Sequence, residues 1–347
     1  MPDDAQALRD GLSRFYAASL PADAQRHIDD WAVAGEGWET LIYRFMLYRD
    51  GHAPQKRVLR VYPATADAPA RAEREFALLG RLRAAGYPTP EVYETGLLDG
   101  RAFLTMAYAG DETLISAFDA STSSEQLLAL FGRFCGLFAD LHALDHAIVA
   151  DLYREFDTND PLGYVRAWLA HYRAQMQTGP GAALLPVLDW LAARYDSVPC
   201  ARYTIIHGDY HPNNVLQGPD GALTVIDWSA ARVADPRVDV AWTLMLVETY
   251  RDTALRDAIQ HGYEQATGEP LLKLDFFDVM AACGRLQDLL SSLSEGAEAS
   301  GMRSEAVDLT RAEAGHFRNV YALLRERTGL ALPQVEAALA GLAAPSG

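Results

Sequence analysis

Three oxygen-bearing side chains recur at short intervals in the second half of the chain. Asp209 and Asn214 lie in Ile205-Ile206-His207-Gly208-Asp209-Tyr210-His211-Pro212-Asn213-Asn214-Val215-Leu216, and Asp227 lies near the end of Leu223-Thr224-Val225-Ile226-Asp227-Trp228. Two carboxylates and an amide oxygen suit magnesium, a hard cation that takes few protein oxygens and keeps positions for water and phosphate. Gly218-Pro219-Asp220-Gly221 has strong turn chemistry, so a hairpin over 205–228 is expected to gather the three groups. An extended His207-x-Asp209-x-His211 would also put alternate side chains on one side, as in an iron site. That site would want a many-stranded barrel, whereas the sequence beyond position 230 is helical in pattern almost to its end.

The block resembles the aminoglycoside phosphotransferase (APH) family, a branch of the protein-kinase-like fold. The family's catalytic loop reads His-x-Asp with an Asn five residues after the Asp, matched here by His207, Asp209 and Asn214. Its second metal-binding Asp is matched by Asp227, eighteen positions beyond Asp209. The resemblance implies that Asp209 accepts or orients the proton of an attacking hydroxyl, that Asn214 and Asp227 hold magnesium, and that His207 braces the loop. It also implies ATP or GTP as phosphate donor.

The elements that must position these residues can be followed from the N-terminus. Leu8, Leu12, Phe15 and Tyr16 form a stripe at helical spacing over 5–19. Two strand-like runs, 31–34 and 41–48, flank Gly35-Glu36-Gly37-Trp38-Glu39-Thr40, where the family has its phosphate-covering loop. Gly35 and Gly37 can bring backbone amides close to phosphate oxygens, although the fuller kinase glycine pattern is absent. A third strand over 56–62 puts Val58, Arg60 and Tyr62 on one face. Here the family resemblance implies that Arg60 takes the place of the usual phosphate-holding Lys, a sensible exchange because guanidinium grips phosphate bidentately. Without that resemblance, Arg60 would be an edge-strand arginine reaching water.

A helix over 67–85 is expected, capped by Asp67, with Pro69 in its first turn and Gly86 ending it. Leu78, Leu79 and Leu82 make its inner stripe, and Glu75 shares that face. The resemblance pairs Glu75 with Arg60. Asp99-Gly100 signals a hairpin before 101–108, which completes a five-stranded sheet. The run through Met106, Ala107 and Ala109 resembles the kinase hinge, implying backbone contacts from Ala107 and Ala109 to the purine and Met106 at the back of its pocket.

From position 112 helical stripes dominate, including 127–144, 161–177 and 183–197, with Asp235 placed to cap a helix that has Pro236 at its first position. Asp235 and Asp239 are read as structural braces and His142 as a packing histidine. The fold class expected is therefore α+β, a bilobal kinase-like arrangement: an N-lobe sheet over 1–108 and a larger helical C-lobe over 109–347. Only seven residues separate Asp227 from Asp235, too few for the activation segment on which a protein kinase lays a polypeptide. The acceptor expected is a small hydroxylated molecule: aminoglycoside-, macrolide-, choline- or sugar-like. Glu248, Glu264, Asp288 and Glu295 are helix carboxylates to which no role is assigned.

The net charge of −17 argues against nucleic acid and anionic membrane as partners and leaves room for a cationic substrate. Cys135, Cys200 and Cys283 are far apart, with no pair at metal spacing, which fits packed thiols in a reducing cytoplasm. An acidic Met1-Pro2-Asp3-Asp4 start and the charges Arg133 and Asp140 in the most apolar long segment give no sign of a signal peptide or membrane span. A non-catalytic nucleotide-binding regulator of the same fold is the alternative, motivated by Arg60 and the loose glycine loop. It has no need of a proton-accepting Asp209.

Overall fold

The computed structural model describes residues 2–18, 26–36, 40–177, 179–295 and 313–342. The chain divides into two compact units, one formed by 1–112 with 216–229 and the other by 113–215 with 230–347. The sequence suggested a single division at 108/109. The structure instead returns 216–229 to the first unit, because Val225 N–H donates to Pro88 O at 2.8 Å and Trp228 meets the Tyr87 ring edge-on.

The first unit holds a five-stranded antiparallel sheet in the order β1-β2-β3-β5-β4. Its strands are β1 (Arg26–Glu36), β2 (Leu41–Arg49), β3 (Gln55–Val61), β4 (Val92–Leu98) and β5 (Arg101–Ala107). The turn between β4 and β5 uses Asp99 and Gly100 at φ +48° and +86°, the left-handed pair that matches the twist of a tight hairpin. Helix α1 (Pro2–Ala18) lays Leu8, Leu12 and Tyr16 against Leu59 and Val61 of β3 and Phe103 of β5. A fully buried leucine contributes about 2 kcal/mol in such a cluster. Strand alternation puts Arg57 on this side too, where its Nη1 donates to both Glu94 oxygens at 2.9 Å and to the Tyr16 phenolic Oη at 3.1 Å. The other parity of β3 carries Arg60 toward helix α2 (Ala68–Ala84), whose Leu78, Leu79, Leu82 and Glu75 are buried. β3 is an interior strand, so Arg60 is no edge residue reaching water. Asp67 precedes α2 but makes no side-chain cap, because its own backbone is already helical and holds the carboxylate away from the first-turn amides.

The second unit is mostly helical: α3 (Leu114–Ala120), α4 (Ser124–Ala143), α5 (Gly163–Met176), α6 (Leu185–Ala192), α7 (Pro236–Tyr250), α8 (Thr253–Thr267), α9 (Leu274–Glu295), α10 (Ala314–Thr328) and α11 (Pro333–Gly341). The helix expected over 183–197 is shorter. Pro186 can sit only in a first turn, so α6 starts at Leu185, with 3₁₀ turns before and after it. Short strands complete the chain: β6 (Glu112–Thr113), β7 (Thr204–Ile206), β8 (Val215–Gln217), β9 (Leu223–Val225) and β10 (Arg232–Ala234). The apolar run at Ile205-Ile206 does not face the run at 223–226, as a single hairpin over 205–228 would require. It pairs with β10, with Ile206 opposite Arg232, while β8 and β9 form the hairpin. The turn at 218–221 closes that hairpin through Gly218 N–H to Ala222 O at 2.8 Å.

Candidate active site

Helix α7 fixes the loop that carries Asp209. Asp235 caps the helix by accepting from Arg237 N–H at 2.9 Å, and Pro236 fills the first position, where a missing N–H costs nothing. One turn on, Asp239 is fully buried and accepts from His207 N–H at 2.7 Å and Gly208 N–H at 2.9 Å. Trp242 and Thr243, three and four residues further along, share that helix face. The Trp242 indole donates to Asp209 Oδ1 at 2.8 Å, and the Thr243 hydroxyl donates to Tyr210 O at 2.6 Å. Four consecutive loop residues are thus held by one helical stripe. Gly208 is at φ +81°, and a Cβ there would fall 2.4 Å from Ala230 O, so only glycine fits. His142 is the packing histidine expected, joined to Asp239 Oδ2 at 3.2 Å and to the Tyr263 phenolic Oη at 2.7 Å.

Asp209 itself is partly exposed. Its Oδ2 lies 3.3 Å from Asn214 Nδ2 and 3.4 Å from His211 Nε2. Burial pushes the carboxyl up, but the hydrogen bond and positive charge of His211, then the Trp242 indole, pull it down to about 2. It is a carboxylate at neutral pH. Buried His207 accepts from Asp209 N–H at 3.2 Å through Nδ1, which braces the loop from within. Asn214 Nδ2 donates to Asp209 O at 2.9 Å, so the amide oxygen is the atom of this side chain that could hold a cation.

In the first unit, the structure joins Arg60, Glu75 and Asp227. Arg60 Nη1 donates to Glu75 Oε1 at 2.9 Å, and Nη2 donates to Asp227 Oδ1 at 2.8 Å. Tyr62 O–H donates to Glu75 Oε2 at 2.5 Å. Burial alone would weaken the Arg60 charge; Glu75 and then Asp227 more than offset it and keep the guanidinium protonated. Asp227 also accepts from Ser229 Oγ at 3.2 Å and adopts φ +63°, a left-handed conformation that costs a non-glycine residue about 1–2 kcal/mol. Its side chain is 42 % exposed. A half-exposed carboxylate is a donor of the kind magnesium takes.

The remaining expected site residues sit as follows. Gly35 lies in the β1–β2 ladder opposite Ile42, next to a register shift, while Gly37, Trp38 and Glu39 lie outside the described residues. Met106 is buried on β5 opposite Val58. Ala107 N–H donates to Glu91 O at 2.8 Å, whereas Ala109 N–H makes no hydrogen bond among the described residues. Glu248 is engaged by Arg256, and Glu264 accepts from Leu271 N–H at 2.9 Å, so both serve packing. The side chain of Glu295 lies outside the described residues.

Trp242 and His211 were missed as partners of Asp209. Trp242 is 33 positions from Asp209, and its one signal in the sequence is the three-residue step from Asp239. Among the described residues, no helix is long and apolar enough to cross a membrane, and no group of three or more His, Cys, Asp or Glu side chains is gathered to hold a metal.

Residues 30–274 match the profile of APH, described as the Phosphotransferase enzyme family. No curated protein matches the chain in sequence. Several solved structures share its fold. One is a Ralstonia eutropha JMP134 protein provisionally named an aminoglycoside phosphotransferase: 20 % identity, TM-score 0.62, covering 96 % of this chain and 97 % of that one. A thermostable mutant of aminoglycoside phosphotransferase APH(4)-Ia, in ternary complex with ADP and hygromycin B, shows 18 % identity and TM-score 0.52, covering 97 % of this chain and 100 % of that one. Macrolide 2'-phosphotransferase MphH of Brachybacterium faecium shows 21 % identity and TM-score 0.53, covering 97 % and 99 %.

Proposed function

Because the chain belongs to the APH phosphotransferase enzyme family, we propose that it transfers the terminal phosphate of ATP or GTP to a hydroxyl of a small molecule. The observation that carries this reading is Asp209, held deprotonated and oriented from two sides at the end of a loop fixed by α7. Asp209 accepts or orients the hydroxyl proton as the oxygen attacks the terminal phosphorus. Asn214 and Asp227 would each offer an oxygen to magnesium, which when bound would neutralise charge on the phosphates. Arg60, kept charged by Glu75, grips phosphate oxygens, with the backbone amides of Gly35 and Gly37 as further candidate donors. Met106, Ala107 and Ala109 line the base. Most of the catalysis is positioning and charge neutralisation.

The net charge of −17 and the short interval from Asp227 to β10 support a small acceptor, cationic in preference to anionic, with neither nucleic acid nor membrane as partner, and the three separate free cysteines fit a cytoplasmic setting. APH(4)-Ia, which shares the fold, binds ADP and hygromycin B. The test is transfer of labelled terminal phosphate from ATP or GTP, with magnesium, to a panel of aminoglycosides, macrolides, amino alcohols and sugars. Label on one acceptor supports the reading and names the substrate. Nucleotide binding without any transfer would favour a regulatory protein of the same fold.

A further inference from the structure

The two oxygens of Asp209 are not equivalent. Oδ1 accepts a short, charge-assisted hydrogen bond from the Trp242 indole at 2.8 Å, while Oδ2 has only the longer contacts, 3.3 Å to Asn214 Nδ2 and 3.4 Å to His211 Nε2. An indole N–H is a donor and nothing else, so it can neither take nor relay a proton. It can hold the carboxylate plane in one rotation about its last torsion, which is otherwise broad. Trp242 is well placed for this, because its helix is tied to the same loop by Asp239, about one turn before it, and by Thr243, the next residue.

We propose that Trp242 is the positioning residue of the transfer step, reserving Asp209 Oδ2 as the proton-accepting oxygen; this rests on the phosphotransferase reading above. The acceptor hydroxyl oxygen forms a bond to the terminal phosphorus and its proton passes to Oδ2. The bond from that phosphorus to the bridging oxygen breaks, and the electron pair leaves with the nucleoside diphosphate. Oδ1 stays bonded to the indole throughout, so the carboxylate does not turn when its partner arrives.

The test has two arms. In transfer from magnesium–ATP to the panel hydroxyl that takes label, Trp242→Phe should lower kcat by about tenfold to a hundredfold, with KM for both substrates little changed, as expected for a misaligned base. A kcat within about twofold of the parent, or a loss confined to KM, overturns the proposal. The second arm needs no acceptor and no folded Trp242 variant. Of the six indole N–H resonances in the ¹⁵N-labelled protein, one should lie downfield and move upfield in Asp209→Asn, while the other five stay in place. Six unmoved resonances overturn the proposal. Loss of transfer in Asp209→Asn with normal turnover in Trp242→Phe defeats this inference alone, whereas full transfer in Asp209→Asn defeats the phosphotransferase reading beneath it.

Discussion

Replacing Glu75 with Ala tests the buried cluster that keeps Arg60 in place. Glu75 is 5 % exposed and accepts from Arg60 at 2.9 Å and from Tyr62 at 2.5 Å. Its removal leaves Arg60 buried with Asp227 as its one remaining carboxylate, and that partner is 42 % exposed and screened by water. Breaking one side of a buried ion pair costs about 3–5 kcal/mol, and an orphaned buried hydroxyl costs about 1–3 kcal/mol. Both penalties describe one carboxylate, so they overlap, and the expected loss is about 3–5 kcal/mol. Urea unfolding followed by tryptophan fluorescence should show a lower midpoint with the slope unchanged. Arg60→Met in the same background removes the stranded charge and should recover a large part of the loss, as buried ion pairs replaced by apolar groups of similar size often do. A loss below about 1 kcal/mol for Glu75→Ala, or no recovery in the double variant, would refute the argument that the charge is held by this carboxylate.

Two further predictions concern the second unit. His316 is buried between Arg285, which donates to Nε2 at 3.1 Å, and Thr249, 2.9 Å from Nδ1; burial first, then Arg285, pushes its pKa down to about 3. The unfolded chain protonates near its ordinary value while the native state does not, so stability is complete above about pH 6.5 and falls toward pH 3. The fall is at most about 1.4 kcal/mol per pH unit, and His316→Gln should flatten it in urea titrations between pH 6.5 and 4. Gly208→Ala forces a side chain onto Ala230 O at a positive φ, so transfer should be lost and the thermal midpoint should drop, as read by circular dichroism and label transfer.

The family was the most legible part of the sequence, because residue type and spacing at Asp209, Asn214 and Asp227 are short-range facts. Strands were legible where alternation was clear: Arg60 of β3 meets Glu75 of α2 as expected, but Arg57, on the opposite face with Glu94 and Tyr16, gave no signal because its partners are 37 and 41 positions away. The pairing of β7 with β10 was hidden for the same reason. A strong turn at 218–221 favours the nearer pairing, and only the folded chain shows that Ile205 and Ile206 take a partner beyond the hairpin. Asp67 had the right type for a cap, yet cap geometry depends on backbone angles that residue type does not fix.

The central claim is that Asp209 serves phosphoryl transfer rather than folding. Asp209→Asn keeps the shape of the side chain and an acceptor for the Trp242 indole while removing the proton-accepting charge. Its transfer of labelled phosphate from magnesium–ATP should fall by at least about a hundredfold, with nucleotide affinity close to that of the parent. Transfer at the parent rate would contradict the account.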